Sequence, residues 1–372
     1  MSEGQGEGMK AFILAAGYGK RLEPLTKAVP KPMVPVANKP IMQYNIELLR
    51  KYGIKDIIAN IHYFPEQVEN YFGDGSSFGV NLKYSFEEEL LGTAGGVKRM
   101  SQLADIDDTF MVISSDILTD VNISRMLAHH KKKKAIATIA LTQVDDVTQF
   151  GVVVLDEKER IVEFQEKPSI ESAKSDLVNT GIYIFEPEML EMIPENISDF
   201  GKEIFPRLVS ERAPFYGYKM IEYWNDVGGI EKLKSANSDV LQGRVRAEVH
   251  ARRVGRSTWL GRGTQVSKSA KFDGTIILGD KSVVGENVEI YGNVSIGDKC
   301  VIEEGVVISD SVIWSDTHVG KSSRLNKCLV GNWCHLEDNV KIEEGCIISN
   351  RCRIRQGKKL DPNTKIEPDQ TV

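Results

Sequence analysis

Short apolar runs alternate with stretches of helical spacing along the first part of the chain. Residues 11–16 form a continuous apolar strand that ends in a Gly-rich turn, and apolar side chains recur at helical spacing over residues 40–52. The same patterns predict strands at 56–61, 81–86 and 110–113 and a helix at 64–72. Strands alternating with helices indicate an α/β domain with a mostly parallel sheet covered on both faces. Ligands of such sheets bind beyond the carboxyl ends of the strands, where Gly17 and Asp116 are expected.

After about residue 255 the apolar residues recur every six positions. The main row is Leu260, Val266, Phe272, Leu278, Val284, Ile290, Ile296, Ile302 and Ile308, then, after a one-residue slip, Ile313, Val319 and Leu325, and after another slip Val330, Leu336, Ile342, Ile348, Ile354, Leu360 and Ile366. A companion row holds Val288, Val294, Cys300, Val306 and Val312. A period of six fits a solenoid in which each flat face contributes one inward side chain. Three such hexads per coil predict a left-handed parallel β-helix.

These patterns divide the chain into successive parts. We expect a disordered leader over 1–8, with Met9 as the natural start, and the α/β domain over 9–235. A linker helix is expected within 236–255, on a helical pattern that runs from Leu233 to Val249, and the β-helix over 256–372.

All five cysteines fall in the repeat region. Cys328 and Cys334 are six residues apart, as are Cys346 and Cys352, which is the period of the repeat. No CxxC or Cys/His spacing typical of a metal site occurs. We therefore expect small buried core residues and neither metal ligands nor disulfides.

Composition and charge exclude several functional classes. The net charge of -6 gives no reason to expect a nucleic-acid partner, because such binding needs a clustered basic surface. No run of about 18 apolar residues predicts a membrane span. The polar, acidic N-terminus lacks the basic start and apolar stretch of a signal peptide. We expect a cytoplasmic protein.

The Gly-rich turn reads Leu-Ala-Ala-Gly-Tyr-Gly-Lys-Arg-Leu over residues 14–22. It fails the dinucleotide fingerprint, which needs a third glycine where Leu22 stands, and it lacks the Gly-Lys-Ser/Thr of a Walker loop. Backbone amides of such a turn can still bind phosphates. Arg21 and Lys31 follow it closely, and two cations beside a Gly-rich loop suit a triphosphate. A purely structural tight turn is the alternative.

The chain resembles the sugar-1-phosphate nucleotidyltransferase family from Met9 into the hexapeptide repeats. A Gly-x-Gly-x-Arg-Leu loop is followed ten residues later by lysine, as Arg21 is by Lys31. Six more segments occur in order: residues 91–96 (LGTAGG), Ser115-Asp116, 150–153 (FGVV), 164–168 (FxEKP), 179–181 (NTG) and 224–228 (WNDVG). Together the segments specify the family, although each is weak alone.

The resemblance implies a role for each group of residues. It assigns the triphosphate to Gly17, Gly19, Arg21 and Lys31, of which Arg21 and Lys31 are catalytic, and the base to the segment 91–96. The residues expected to bind the nucleotide are Leu14, Ala15, Ala16, Gly17, Gly19, Glu87, Gly92, Thr93 and Ala94. Sugar phosphate would contact Gly151, Glu166, Lys167, Asn179 and Thr180, with Lys167 catalytic, and Mg²⁺ would bind Asp116 and Asp226. Ordinary turn or cap aspartates, and pairing of Glu166 with Lys167, are the plainer alternatives; Asp120 is expected at the surface or in a cap.

The residues before the base segment indicate a substrate pair. A carboxylate at Glu87 can accept from guanine N1–H and N2–H₂, which favours GTP and hence mannose 1-phosphate. UTP with glucose 1-phosphate stays open, as does a catalytically idle regulator that binds nucleotide-sugar. His318 and His335 raise a fused acyltransferase as a further alternative. We expect a homo-oligomer through the β-helix, whose flat faces pack on copies of themselves.

Overall fold

The computed structural model describes residues 8–195 and 198–372, which form two compact units. The first unit comprises the described residues up to Tyr18 together with Ile41–Asp226. The second comprises Gly19–Pro40 and Val227–Val372. The division therefore differs from the expected boundary at 235/236, and Gly19–Pro40, which we call the 19–40 segment, belongs with the β-helix. The leader expected over 1–8 lies, except for Gly8, outside the described residues.

Strands and helices before the β-helix follow the predicted alternation. The strands are β1 Lys10–Leu14, β2 Pro35–Val36, β3 Lys39–Pro40, β4 Asp56–Ile61, β5 Asn81–Phe86, β6 Phe110–Ser114, β7 Ile117–Thr119, β8 Ala137–Gln143, β9 Gly151–Leu155, β10 Ile161–Glu166, β11 Leu177–Phe185, β12 Phe215–Lys219 and β13 Trp224–Asp226. The α-helices are α1 Ile41–Lys51, α2 Pro65–Phe72, α3 Gly92–Ser101, α4 Ile123–Lys133, α5 Glu188–Met192, α6 Phe205–Ser210 and α7 Ile230–Leu241. Single 3-10 turns occur at Lys20–Leu22, Leu25–Lys27, Lys31–Met33 and Ser76–Phe78, and a π-helical turn at Phe200–Ile204. The described helices include none long and apolar enough to cross a membrane.

The first unit is built on a nine-stranded sheet, in which β10, β9, β11, β6, β1, β4 and β5 follow one another and β8 and β12 extend it from β11. The expected parallel arrangement holds from β6 to β5, and antiparallel pairs of β11 with β6, β8 and β9 make the sheet mixed. Leu14 pairs with both Asn60 and Ser114, so β1, β4 and β6 end at one level. The Gly-rich turn begins at that edge.

The second unit is a parallel β-helix. Its strands are β14 Arg252–Arg253, β15 Thr258–Leu260, β16 Gln265–Val266, β17 Lys271–Leu278, β18 Val283–Val284, β19 Glu289–Ile296, β20 Val301–Ile302, β21 Val307–Ser309, β22 Val312–Ile313, β23 His318–Val319, β24 Arg324–Asn326, β25 Leu329–Val330, β26 His335–Leu336, β27 Lys341–Ile342, β28 Ile347–Ile348, β29 Arg353–Ile354, β30 Lys359–Leu360 and β31 Lys365–Ile366. Three columns of strands form its faces: β16 to β29 (first), β21 to β30 (second) and β22 to β31 (third). The linker helix is α7, which begins before residue 236 and ends well before 255.

The main row predicted from the sequence forms the core of the β-helix, with its first three members partly buried. The companion row leaves the core at its last member. Val312 pairs with Ser295 and faces the outer side of the coil, whereas the next residue, Ile313, pairs with Ile296 and faces inward. Cys300, Cys328, Cys334, Cys346 and Cys352 are all free and buried in this core, as expected. Burial raises the pKa of the Cys300 and Cys328 thiols to about 12, so these thiols stay protonated.

Candidate functional site

The Gly-rich turn begins where β1 ends, and its first residues are held by the two strands that neighbour β1. The backbone amide of Ala15 donates to Oδ1 of Asn60 at 2.7 Å, and the amide of Ser115 donates to the carbonyl of Leu14 at 2.9 Å. These bonds fix the first residues of the turn at the carboxyl edge of the sheet. Asn60 was not predicted as part of the site. The sequence feature that could have indicated it is an amide side chain within the otherwise apolar run of β4.

Glu87 links this turn to the predicted base loop. Its carboxylate is buried, and Oε1 accepts from Nδ2 of Asn60 at 2.7 Å while Oε2 accepts from the backbone amide of Leu91 at 3.0 Å. Both oxygens are thus engaged within the protein. A direct contact between this carboxylate and guanine would compete with bonds that shape the loop.

The base loop is packed closely against residues 198–200. Gly92 has φ 77°, and a Cβ there would lie 2.3 Å from the carbonyl oxygen of Ser198. The amides of Ala94 and Gly95 donate to that same oxygen. Thr93 donates from its hydroxyl to Asp199 at 2.9 Å. This loop therefore depends on glycine for its path and on residues 198–200 for its position.

The two predicted metal ligands come close through a short strand pair. Strands β7 and β13 are antiparallel, and Asp226 pairs directly with Ile117, the residue after Asp116. Directly paired residues of antiparallel strands have Cα atoms about 4.5–5.5 Å apart. Asp120 directly follows β7, and its Oδ1 accepts from the Tyr223 amide at 2.9 Å. The residue that caps α4 is Asn122, whose side chain accepts from the Arg125 amide. Both Asp116 and Asp226 are partly buried.

Two predicted sugar-phosphate residues are paired across β9 and β10. Gly151 lies directly opposite Glu166. A Cβ on Gly151 would lie 2.4 Å from the ring of Phe164, so glycine is needed for this strand pair to close. Lys167 follows with φ 47°, and its amide donates to the carbonyl of Phe150. Its ammonium lies 3.7 Å from Glu166, a loose pair for a lysine side chain that is 59% exposed.

Asn179 and Thr180 lie beside this pair, but their side chains bond within the protein. Asn179 donates to the hydroxyl of Tyr183 at 3.0 Å, and Thr180 is buried with its hydroxyl donating to the carbonyl of Ala140 at 2.7 Å. The indole of Trp224 donates to the Thr180 carbonyl at 3.0 Å. Trp224 thereby connects β13, which carries Asp226, to Thr180, one of the residues predicted to bind the sugar phosphate. This connection was not predicted from the sequence.

The buried hydroxyl of Tyr183 accepts a hydrogen bond from Asn179. Burial raises the pKa of Tyr183, the bond from Asn179 opposes that increase, and the negative charge of Asp199, Glu166 and Asp116 adds to it. Burial also raises the pKa of Glu166, with Lys167 opposing the change and Asp199 adding to it. Negative charge around Tyr183 in the first unit therefore comes from Asp116, a predicted metal ligand, from Glu166, a predicted sugar-phosphate residue, and from Asp199.

In the second unit, the 19–40 segment brings two further site residues into contact. Gly19 has φ 69°, and a Cβ there would lie 3.1 Å from Cβ of Lys31. The carbonyl of Gly19 accepts from the Thr26 hydroxyl at 2.9 Å. Arg21 lies in the 3-10 turn that follows Gly19, and it is exposed. The loop is therefore folded so that Lys31 lies against Gly19.

Two family models match the chain. One described as nucleotidyl transferase matches residues 10–243, and one described as EIF2B subunit epsilon LbH domain matches residues 253–360. LbH stands for left-handed β-helix, so the second match confirms the expected hand of the coil.

Individual relatives agree with the first match. A UTP–glucose-1-phosphate uridylyltransferase of Synechocystis sp. is 42% identical over 64% of this chain and 65% of its own length. The chain thus covers just under two thirds of that relative. A mannose-1-phosphate guanylyltransferase of Mycobacterium tuberculosis is 33% identical over 72% of this chain and 79% of its own length. A solved structure, a putative glucose-1-phosphate thymidylyltransferase from Bacillus anthracis, covers 62% of this chain and 94% of its own, at 27% identity and a TM-score of 0.56.

Proposed function

This chain belongs to the nucleotidyl transferase family, and from that premise we propose that it joins a sugar 1-phosphate to a nucleoside triphosphate. An oxygen of the sugar phosphate attacks the α-phosphorus in line, the bond between the α- and β-phosphates breaks, and pyrophosphate leaves. The observation that carries the proposal is the antiparallel register that pairs Asp226 with Ile117, next to Asp116. This register brings the backbones of two aspartates that are 110 residues apart in sequence close together, and it supports a site that both aspartates share.

The reaction brings two anions together, so charge neutralisation and alignment are what the protein has to supply. Arg21 and Lys31 are proposed to neutralise the triphosphate and the charge that grows on the leaving pyrophosphate. Lys167 is proposed to bind the phosphate of the attacking sugar 1-phosphate. Its left-handed backbone and its hydrogen bond to Phe150 hold the chain at this position while the ammonium stays exposed.

We propose that Asp116 and Asp226 hold Mg²⁺. Their donor set of two carboxylates suits an ion that takes few protein oxygens and completes its coordination with phosphate oxygens and water. Bound there, the ion would supply positive charge at the reacting phosphates.

The substrates are proposed as GTP and mannose 1-phosphate, with UTP and glucose 1-phosphate as the second candidate. The guanylyltransferase relative aligns with 72% of this chain, which supports the first pair. The uridylyltransferase relative is more identical, at 42%, and supports the second. Because both oxygens of Glu87 are engaged by Asn60 and Leu91, that carboxylate no longer favours guanine by itself.

A substrate matrix tests the proposal. Pyrophosphate release is measured with each of the common nucleoside triphosphates against mannose, glucose and other sugar 1-phosphates, with and without Mg²⁺. We expect Mg²⁺-dependent turnover with at least one pair, and the fastest pair identifies the base and sugar. Absence of turnover with every pair, while a nucleotide still raises the melting temperature, would instead support the idle regulator.

Two further expectations from the sequence stay proposals. The protein is proposed to be cytoplasmic, and to assemble with copies of itself through the β-helix. His318 and His335 stack with ring centroids 4.6 Å apart, and Nε2 of His318 lies 2.9 Å from Glu303. Both histidines lie in one column of β-helix strands, and neither the contacts nor the comparisons point to an acyl donor, so we do not propose the acyltransferase activity.

A further inference from the structure

The third face of the β-helix carries apolar side chains on its outer side. The outward residues in register there are Ser295, Val312, Leu329 and Ile347, and none is more than 6% exposed. Outward residues of the second face, such as Arg324, Lys341 and Lys359, are exposed. Apolar outward residues that are buried belong to a face that is covered.

The 19–40 segment is bonded at one end of this face through Asn38. Nδ2 of Asn38 donates to the carbonyl of Ile296 at 2.6 Å, and its Oδ1 accepts from the hydroxyl of Ser295 at 3.1 Å. Ala37 donates from its amide to Asn237 of α7 at 2.8 Å. Ala37 and Asn38 both have positive φ, as the two central residues of a tight turn between β2 and β3 require.

At the other end of the face the segment is bonded through Pro24. The hydroxyl of Ser349, which directly follows β28, donates to the carbonyl of Pro24 at 2.9 Å, and Ser349 is fully buried. The Pro24 carbonyl also accepts from the amide of Lys27 at 3.3 Å, within the segment itself, so the shorter bond from Ser349 is the one that ties this carbonyl to the β-helix. Lys27 also pairs with Glu367 at 2.8 Å, but both side chains are about half exposed and such pairs contribute little.

Two hydrogen bonds, joined by the backbone between Pro24 and Thr26, connect Ser349 to Gly19. Pro24 precedes the 3-10 turn Leu25–Lys27, and within that turn the hydroxyl of Thr26, only 1% exposed, donates to the Gly19 carbonyl at 2.9 Å. Gly19 in turn lies against Lys31. We infer that the β-helix, through Ser349, positions the loop of Gly19, Arg21 and Lys31 for the triphosphate. Ser349 is thus a positioning residue for the proposed reaction, and the inference rests on that proposed function.

Ser349→Ala tests the inference, with Ser323→Ala as the matched control. Ser323 is also fully buried in the β-helix, and its hydroxyl donates to the Glu337 carbonyl at 3.1 Å. Steady-state kinetics would give KM separately for the triphosphate and for the sugar 1-phosphate. Hydrogen–deuterium exchange would report protection of peptides that cover residues 19–40.

For Ser349→Ala we expect KM for the triphosphate to rise about three- to tenfold, the range set by one buried hydrogen bond, with KM for the sugar phosphate unchanged. Exchange over residues 19–40 should become faster, and Ser323→Ala should change neither quantity. A third variant, Lys27→Met, should stay close to wild type, because the ion pairs of Lys27 with Glu23 and Glu367 are about half exposed and contribute little.

The inference is overturned if Ser349→Ala leaves exchange over residues 19–40 unchanged, if both KM values rise together, or if Ser323→Ala has the same effects. Failure of the proposed function is recognised separately, because wild type would then turn over no substrate pair. In that case the exchange measurement, with triphosphate alone as the added ligand, still decides whether Ser349 holds the loop.

Discussion

At the scale of single residues, the base loop depends on contacts that leave no room for a side chain. Gly92 faces the carbonyl of Ser198, and Gly96 faces Asn60 and Glu87, with the nearest atoms 2.3 Å and 2.7 Å from an added Cβ. These neighbours are a backbone carbonyl and two hydrogen-bonded polar side chains, which cannot easily move. The glycines here are therefore required by packing as much as by a ligand.

Gly92→Ala should destabilise the protein by at least about 2 kcal/mol, because it combines positive φ with a clash against backbone. Gly17→Ala is the control, since nothing lies within 4 Å of an added Cβ there and φ is not positive. Urea unfolding of both variants measures the difference. Equal stability of the two variants would contradict the described path of the loop.

His130 should make stability depend on pH. The ring is fully buried, with Nδ1 2.8 Å from the Thr138 hydroxyl and Nε2 2.9 Å from Glu186. Burial lowers its pKa, against the opposing effect of Glu186. Below the ordinary histidine value of about 6.5, the unfolded chain therefore binds a proton that the folded chain does not. Stability is complete above that pH and falls as the pH is lowered through it.

Unfolding free energies of wild type and His130→Gln between pH 7.5 and 5.5 check this expectation. The His130 contribution to the slope is at most about 1.4 kcal/mol per pH unit. The variant should retain a shallower slope, because burial lowers the pKa of His129 as well. Identical slopes in the two proteins would rule out the role given to His130.

At the scale of elements, the strand pair β7 and β13 is short but strongly constrained. Three residue pairs join the two strands, and Thr119 adds a hydrogen bond from its hydroxyl to the Tyr223 carbonyl at 2.7 Å. Trp224 ties β13 to Thr180 of β11 as well. A strand of three residues is therefore held rigidly enough to fix a carboxylate at its end.

Asp226→Asn should remove most Mg²⁺-dependent turnover, by about 100-fold or more, because it takes away one of two proposed anionic ligands. The fold should be intact, since the backbone pairing of β13 does not use this carboxylate. Asp120→Asn makes the same charge change on the same strand pair and should stay near wild-type activity, because an amide oxygen can still accept from Tyr223. Pyrophosphate release against Mg²⁺ concentration is the measurement, and near-normal activity of Asp226→Asn would refute the metal role.

Lys167→Ala should weaken use of the sugar 1-phosphate more than binding of the triphosphate. The ammonium is exposed, at the end of β10, and is proposed to contact the sugar phosphate alone. The matched control is Lys174→Ala, which removes an exposed lysine paired with Glu163 at 2.8 Å. KM values for both substrates should be compared; a larger increase for the triphosphate would reverse the assignment.

At the scale of the whole molecule, the repeat was the part most completely predictable from the sequence. Every member of the main row, which repeats every six residues, is in the core of the β-helix or packed against it. Such a row can be predicted because each hexad contributes one inward side chain independently of distant parts of the chain. Bounds of β4 and β5 were also predicted correctly, since each is a continuous or alternating run between clear breaks. The slip to Ile313 was also predicted correctly, whereas Val312, the last member of the companion row, is not part of the core cluster that holds the rest of that row.

Contacts between distant parts of the chain were not predictable. The pairing of β7 with β13 joins strands too short to show a pattern, and the membership of the 19–40 segment in the second unit depends on hydrogen bonds to residues hundreds of positions away. The engagement of Glu87 by Asn60 was missed for the same reason. Resemblance located the site residues, whereas their mutual geometry needed coordinates.

The expected homo-oligomer is also a prediction at this scale. Regular outward ladders such as Arg324, Lys341 and Lys359 give the β-helix repetitive faces on which copies can pack. Sedimentation velocity at micromolar concentration should show a species larger than the 41.5 kDa chain. A monomer under those conditions would count against assembly through this domain.

The bond between Ser349 and Pro24 spans 325 residues and has a consequence for synthesis of the protein. At about 5–20 residues per second, a ribosome needs roughly 15–65 seconds to travel from one to the other. Throughout that time the loop that is translated first lacks the coil that secures it. Nascent chains that end before Ser349 would carry the α/β sheet without the bond to Pro24, so under the inference drawn above the loop of Gly19 is positioned only once the last coils have been translated.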